Sequence, residues 1–122
     1  MYEDVMLAAD IISALDTDSV KLHTLYIEKN TLLSKMYEEG KIKLLGIGDY
    51  IERTIGFLER LSPLISVQRL NARVPEELSV FCNWSKSHWV LTEMVENEMQ
   101  KRRTYQGRCC DYKYDSAMER FK

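Results

Sequence analysis

Four polar side chains near two candidate strands could bind a charged group of a ligand. Lys21 and His23 alternate with apolar residues at the two-residue period of a strand, which puts both on one face. Gln68 and Arg69 end a second candidate strand, where a guanidinium offers paired donors to a carboxylate or phosphate. A histidine on such a face could also move a proton near neutral pH. The structural alternatives stay open: a histidine satisfied within the fold, and an arginine paired with a structural carboxylate.

The two candidate strands belong to a pattern that predicts a parallel pair. The first strand spans residues 20–26 and the second spans residues 65–69. The chain between them is helical in pattern, and a strand, a helical connection and a second strand predict parallel pairing with a right-handed crossover. Residues 71–85 are rich in turn formers and predict a connection. Two parallel strands make a poor sheet alone, so the pattern indicates part of a larger sheet or barrel wall.

Four helices surround these strands in the prediction. They are a helix over residues 1–15, a short one capped by Thr31 and ended by Gly40, one starting at Asp49 with capping-box spacing, and one over residues 85–103. The last of them carries an apolar stripe at helical spacing, formed by Leu91, Val95 and Met99.

Composition and targeting signals favour a cytoplasmic protein. The formal net charge is −2, which does not by itself indicate a polyanionic partner. Three cysteines, of which Cys109 and Cys110 are adjacent, do not suggest a secreted disulfide framework. The chain shows neither a signal-peptide pattern nor an apolar run long enough to span a bilayer, so no membrane association is expected.

Five segments together resemble one family. They are residues 20–31 (VKLHTLYIEKNT), 37–41 (YEEGK), 67–70 (VQRL), 84–89 (WSKSHW) and 103–107 (RTYQG). Their order and spacing resemble the C-terminal portion of a radical S-adenosylmethionine (radical SAM) subgroup related to the catalytic subunit of Elongator. The resemblance implies an α/β, helix-rich fold: the C-terminal fragment of a partial (β/α) radical SAM barrel, with two short parallel strands and four helices. Residues 1–70 would be its last βα units, residues 71–108 a helical extension and residues 109–122 a tail.

The resemblance also implies which residues lie near the cofactor. Leu25, Tyr26 and Lys29 follow the first strand, where the family holds S-adenosylmethionine and where ligands meet the carboxyl ends of barrel strands. The alternative is that Leu25 and Tyr26 only pack. Lys21, His23, Gln68 and Arg69 become the candidate substrate-binding residues, because Lys21 and His23 would face the lumen.

The family's reaction centre is missing from this chain. Radical SAM proteins hold a [4Fe–4S] cluster on three cysteines spaced Cys-x-x-x-Cys-x-x-Cys, and Cys82, Cys109 and Cys110 do not have that spacing. We therefore expect no catalytic residue, no metal ligand and no cofactor on this chain, whereas a parent protein would carry the cluster and S-adenosylmethionine. A metal site built from His23, His88 and Cys82 has no recognised spacing.

Three functions follow as hypotheses. The first is the C-terminal fragment of a radical SAM enzyme, inactive alone, whose parent modifies the wobble uridine of tRNA. The second is a protein-interaction module that forms homo-oligomers through an exposed barrel edge. The third is an RNA-binding module, because basic residues and tyrosines alternate in the tail. The tail residues concerned are Lys101, Arg102, Arg103, Tyr105, Arg108, Tyr112 and Tyr114. The structural alternative is favourable charge at a helix end followed by a solvated tail.

Overall fold

Helices and short strands alternate along the chain in the computed structural model, which describes residues 2–15, 17–23, 26–71 and 76–110. These residues form a mixed α/β structure with four helices and two separate two-stranded sheets. The helices are α1 (Tyr2–Ala14), α2 (Leu32–Glu38), α3 (Ile47–Arg60) and α4 (His88–Arg102). The strands are β1 (Ser19–Lys21), β2 (Tyr26–Glu28), β3 (Ser66–Arg69) and β4 (Ser79–Cys82).

The core lies where α1, α3 and α4 meet. Ala9 of α1, Ile55 and Leu58 of α3 and Val95 of α4 are buried in one cluster, because each helix repeats apolar residues at three- and four-residue spacing. Asp10 of α1 accepts a two-pronged contact from the Arg60 guanidinium, with Nε 2.9 Å from Oδ1. No helix of the described residues is both long enough and apolar enough to cross a membrane.

The parallel pair is present as the pattern predicts. β1 and β3 pair in parallel, with Val20 opposite Val67 and Lys21 opposite Arg69. Asp18 accepts a hydrogen bond from the Ser66 amide at 3.0 Å at the start of the pair. The chain that connects the two strands includes α2 and α3, so a connection that contains helices joins the parallel strands, as predicted.

The prediction of one strand over residues 20–26 is wrong. β1 ends at Lys21, and a second strand, β2, starts at Tyr26 and pairs antiparallel with β4. The apolar–polar alternation runs through the point where the backbone changes partner, so it gives no sign of the break. β4 itself falls inside residues 71–85, which were predicted to be a connection. Its four residues are all half-buried and show no alternation between faces.

The predicted helix ends are partly right. Thr31 caps α2 by accepting from the Ser34 amide at 3.1 Å, and Gly40 follows the helix with φ +72°, both as predicted. The predicted start of α3 at Asp49 is wrong, because the helix begins at Ile47 after Gly46. Asp49 therefore lies in the first turn, where its charge favours the helix dipole without capping it.

Candidate functional site

The two faces of the parallel pair differ in polarity. Val20, Leu22 and Val67 pack against the helical core. Ser19, Lys21 and Gln68 form a polar outer face, on which Lys21 and Gln68 are exposed and Ser19 is half-buried. The Gln68 amide nitrogen donates to the Ser19 hydroxyl at 3.1 Å across the two strands. Parallel strands are usually covered on both faces, so an exposed polar face is unusual.

Positive charge collects at the carboxyl end of the pair. Lys21 and Arg69 are register partners, and both side chains are exposed. His23 lies two residues after Lys21 and is exposed. The centroid of its ring is 6.2 Å from that of Tyr26, at an interplanar angle of 29°. Two cations placed side by side on fixed strands can hold one anionic group between them. The structure thus brings Lys21, Gln68 and Arg69 to one sheet end.

The three residues proposed to contact the cofactor have different surroundings. Leu25 lies outside the described residues. Tyr26 is half-buried in β2 opposite Cys82. Lys29 belongs to the antiparallel pair, since its amide donates to the Leu78 carbonyl at 2.7 Å, and it lines a surface depression of about 600 Å³ with Thr31 and other residues of the α2 start.

A buried polar network beneath the carboxyl end of β3 was not predicted. Asn71, 3% exposed, lies between the hydroxyls of Tyr50 in α3 and Thr92 in α4. With its amide nitrogen toward Tyr50, Asn71 also donates to the Leu70 carbonyl at 3.1 Å and accepts from the Thr92 amide at 3.1 Å. Burial raises the pKa of the Tyr50 hydroxyl. Only the position of Asn71 just after a strand could have suggested this role.

Two tryptophans near the start of α4 differ in their surroundings: Trp84 precedes the helix and Trp89 lies in its first turn. The Trp84 indole nitrogen donates to the Leu45 carbonyl at 3.0 Å, and its ring lies 4.8 Å from that of Tyr50 and 5.5 Å from that of Phe81. Trp89, by contrast, is 74% exposed and contacts the His88 ring at 4.6 Å. Packing therefore accounts for Trp84 and not for Trp89.

Two basic residues of the proposed RNA-binding tail are engaged within the fold. Arg102 forms ion pairs with Glu52 and Glu98, and Arg108 forms one with Glu59 at 2.6 Å. These contacts agree with the structural account of the charge at the end of α4. Tyr112 and Tyr114 lie outside the described residues, so RNA binding by the tail stays a prediction.

Most of the chain matches the model of a known protein family. Residues 17–101 match the family model of the Radical_SAM C-terminal domain, which is more than half of the chain. The chain belongs to this family. All the candidate residues from Lys21 to Arg69 lie inside the matched part, whereas α1 and the residues after Lys101 lie outside it.

Two relatives are much longer than this radical SAM C-terminal domain. The chain is 32% identical over 104 residues to the uncharacterized protein YtqA of Bacillus subtilis, covering 85% of this chain and 32% of that protein. It is 35% identical over 107 residues to the uncharacterized protein MJ0486 of Methanocaldococcus jannaschii, covering 87% of this chain and 33% of that protein. The chain spans about a third of the length of these curated relatives. No solved structure matches it.

The thiols of this radical SAM C-terminal domain do not fit an iron–sulfur cluster. Cys82 lies in β4, whereas Cys109 is tied to α3, its amide donating to the Glu59 carbonyl at 2.8 Å. Among the described residues, which include all three cysteines, no three His, Cys, Asp or Glu side chains converge on a point where a metal ion could bind. A cluster needs several thiolates around one point, so we assign no cluster chemistry to these residues.

Proposed function

We propose that this radical SAM C-terminal domain forms part of the substrate-binding wall of a longer radical SAM protein. The polar outer face of β1 and β3 would line the lumen of a partial (β/α) barrel, with Lys21, His23, Gln68 and Arg69 toward the substrate. Another part of the longer protein would hold the iron–sulfur cluster, and S-adenosylmethionine bound there would supply the radical. This chain would act by binding and orienting, not by reacting.

One observation carries the proposal. The parallel pair packs apolar side chains inward while it leaves Lys21 and Arg69 exposed as register partners at its carboxyl end. Ligands of barrels and open parallel sheets bind at the carboxyl ends of strands. A lysine beside an arginine favours an anion, and phosphate suits both the ammonium and the forked guanidinium.

Finer parts of the proposal rest on the sequence resemblance. They are a place in the subgroup related to the Elongator catalytic subunit, a tRNA wobble uridine as the parent's substrate, and a cytoplasmic location. The phosphates of a tRNA would suit the basic end of the pair. Leu25, Tyr26 and Lys29 remain the proposed contacts to S-adenosylmethionine, through apolar and backbone groups near its adenine.

A titration with inorganic phosphate tests the binding role. In ¹⁵N-labelled protein, saturable shifts should occur for the amides of Lys21, Leu22 and Arg69. Lys21→Met and Arg69→Met should each weaken the affinity about tenfold, because each removes a charge-assisted hydrogen bond. Lys43→Met removes an equally exposed charge elsewhere and serves as the matched control. Shifts spread over all surface lysines, or an equal loss in the control, would rule the site out.

A second candidate function, self-association, is favoured by an exposed apolar stripe that runs along α1 to the residue just after it. Leu7, Ile11 and Leu15 recur at four-residue spacing and are 54%, 40% and 51% exposed. Such a stripe, together with open sheet edges, is typical of a surface that another chain covers. Light scattering over a hundredfold concentration range checks this: a dimer that Leu7→Glu makes monomeric supports it, and a monomer throughout removes it.

A further inference from the structure

The residues after α4 form a strap, residues 104–110, that runs along the C-terminal end of α3. The Gly107 amide donates to the Leu58 carbonyl at 3.0 Å, and the Cys109 amide donates to the Glu59 carbonyl at 2.8 Å. The last carbonyls of a helix have no partner within the helix. The strap therefore completes the end of α3 with its own backbone.

Gln106 of the strap contacts the connection between α3 and β3. Its side-chain nitrogen donates to two carbonyls, those of Ser62 and Ile65, at 2.8 Å each. Ser62 and Ile65 are 3% and 4% exposed and Gln106 is half-buried, so both bonds are partly shielded from water. Because a primary amide has two N–H groups, one side chain holds two carbonyls of this five-residue connection, residues 61–65.

Gly107 allows the strap to approach this connection. It has φ +87°, a conformation that favours glycine, and a Cβ placed on it would lie 2.6 Å from Cδ of Pro63. Pro63 lies between the two residues that Gln106 contacts. The side chain of Gln106 and the bare backbone of Gly107 thus enclose the same connection from the strap.

We infer that Gln106 is a positioning residue for the polar outer face. Ile65 directly precedes β3, and the Ser66 amide makes the first hydrogen bond to the β1 side, to Asp18. By holding the Ile65 carbonyl, Gln106 sets where β3 begins and hence how Gln68 meets Ser19. The role of this face in ligand binding rests on the proposed function, whereas the hold on β3 does not.

The substitution Gln106→Glu tests the hold with almost no change of volume. A carboxylate would face two carbonyl oxygens and could donate to neither, so the contact becomes repulsive at pH 7. The amides of Ser66 and Leu22, which bond to Asp18 and Arg69 across the pair, should lose about tenfold or more of their hydrogen-exchange protection. The α4 amides of Leu91 and Val95 should keep theirs.

Acidification provides an internal control for this variant. Below the pKa of the new carboxyl group the acid is neutral and regains one donor, so much of the protection of Ser66 and Leu22 should return. Gln100→Glu, on an exposed position of α4, should change neither amide. If Gln106→Glu does not fold at pH 7, the neutral Gln106→Met variant should show a smaller, pH-independent loss at the same two amides.

Two results would overturn the inference. One is unchanged protection of Ser66 and Leu22, and the other is an equal loss at Leu91 and Val95, which would mean global destabilisation. Phosphate titration separates the inference from the proposed function. If the wild-type protein does not bind phosphate, the proposed function fails while the hold on β3 stands. If wild type and Gln106→Glu bind phosphate equally despite altered exchange, the strap does not position the ligand site.

Discussion

The two small sheets of this domain differ in what their side chains do. The antiparallel pair, β2 and β4, is fixed by aromatic packing and leads into a turn, Asn83–Ser85, whose three residues have φ of 48°, 53° and 61°. The parallel pair, β1 and β3, has a register irregularity between Val20 and Lys21 and packs apolar side chains on the core by one face. Its other face carries polar and charged groups, of which Lys21 and Gln68 are exposed.

This difference separates residues that stabilise the fold from residues that the fold places on its surface without depending on them. Left-handed backbone costs about 1–2 kcal/mol for each residue that is not glycine, so the turn persists because Trp84 is held by a hydrogen bond and two rings. Lys21 and Arg69 stabilise no comparable structure, yet the strand pairing places them side by side. Polar groups that a scaffold positions without needing them are the better candidates for binding.

The largest expected effect is at Trp84. Trp84→Ala removes two ring contacts and the indole donor while the turn keeps its strain, and we expect a loss of about 2–4 kcal/mol in the free energy of unfolding. Trp89→Ala, at a residue that is 74% exposed, should cost less than about 0.5 kcal/mol. Urea denaturation of both variants measures the contrast. Equal losses would mean that the turn is not held by Trp84.

The next effect is expected in the strap. Gly107→Ala adds both left-handed strain and a clash with Pro63, whereas Gly40→Ala adds strain alone, since nothing lies within 4 Å of a Cβ there. We expect about 2–3 kcal/mol for Gly107→Ala and about 1 kcal/mol for Gly40→Ala. Thermal and urea unfolding give both values. A cost at Gly107 no larger than at Gly40 would show that the connection gives way, which would weaken the positioning role of Gln106.

The sequence predicted the parts of this fold that local rules determine. The helical period located α1, α2 and α4, and the cap at Thr31 and the glycine at position 40 mark ends that depend only on neighbouring residues. It placed β1 and β3 in a parallel pair because a crossover constrains topology. The predicted start of α3 at Asp49 was wrong, because the helix starts after Gly46, which has no side chain to act as a cap.

The missed features all depend on contacts between distant parts of the chain. The change of strand partner after Lys21 and the short strand β4 both depend on the antiparallel pairing of β2 with β4, in which Tyr26 lies opposite Cys82. Asn71 is buried because Tyr50 and Thr92 meet it, and neither is near it in sequence. At the candidate site, the sequence correctly placed Arg69 at a strand end, whereas Lys21 was predicted near the start of a longer strand and in fact ends β1. Only the register shows that the two residues are neighbours.

A smaller effect should appear as acid sensitivity at Glu59. Burial would raise the pKa of this carboxyl group, but hydrogen bonds from Thr104 and Arg108 outweigh it and lower the pKa below the usual 4.5. A lowered pKa in the folded state stabilises the protein above the unfolded-state pKa, and that contribution is lost as the pH falls through the folded pKa. Glu59→Gln should therefore cost about 1 kcal/mol at pH 7 and progressively less below pH 4.5.

The matched control for Glu59 is a pair on the open surface. Glu39 contacts Lys41 with both side chains largely exposed, so Glu39→Gln should cost only a few tenths of a kcal/mol, about the median for surface pairs. Urea midpoints at a series of pH values from 7 to 3 measure both variants. A cost at Glu59 that does not change with pH would show that the ion pair with Arg108 contributes nothing to holding the strap.

The smallest effect on stability is expected where the effect on binding should be largest. Lys21→Met and Arg69→Met should each change the free energy of unfolding by less than about 0.5 kcal/mol, because both side chains are exposed. Two like charges on neighbouring strands repel, so either change could even stabilise the protein slightly.

Urea unfolding in the absence and presence of phosphate measures both the stability and the phosphate binding of each variant on one sample. Phosphate should raise the midpoint of the wild-type protein more than that of either variant, since a ligand stabilises only the state that binds it. A loss of several kcal/mol without phosphate would instead make Lys21 or Arg69 a structural residue, and the contrast between the two sheets would no longer hold.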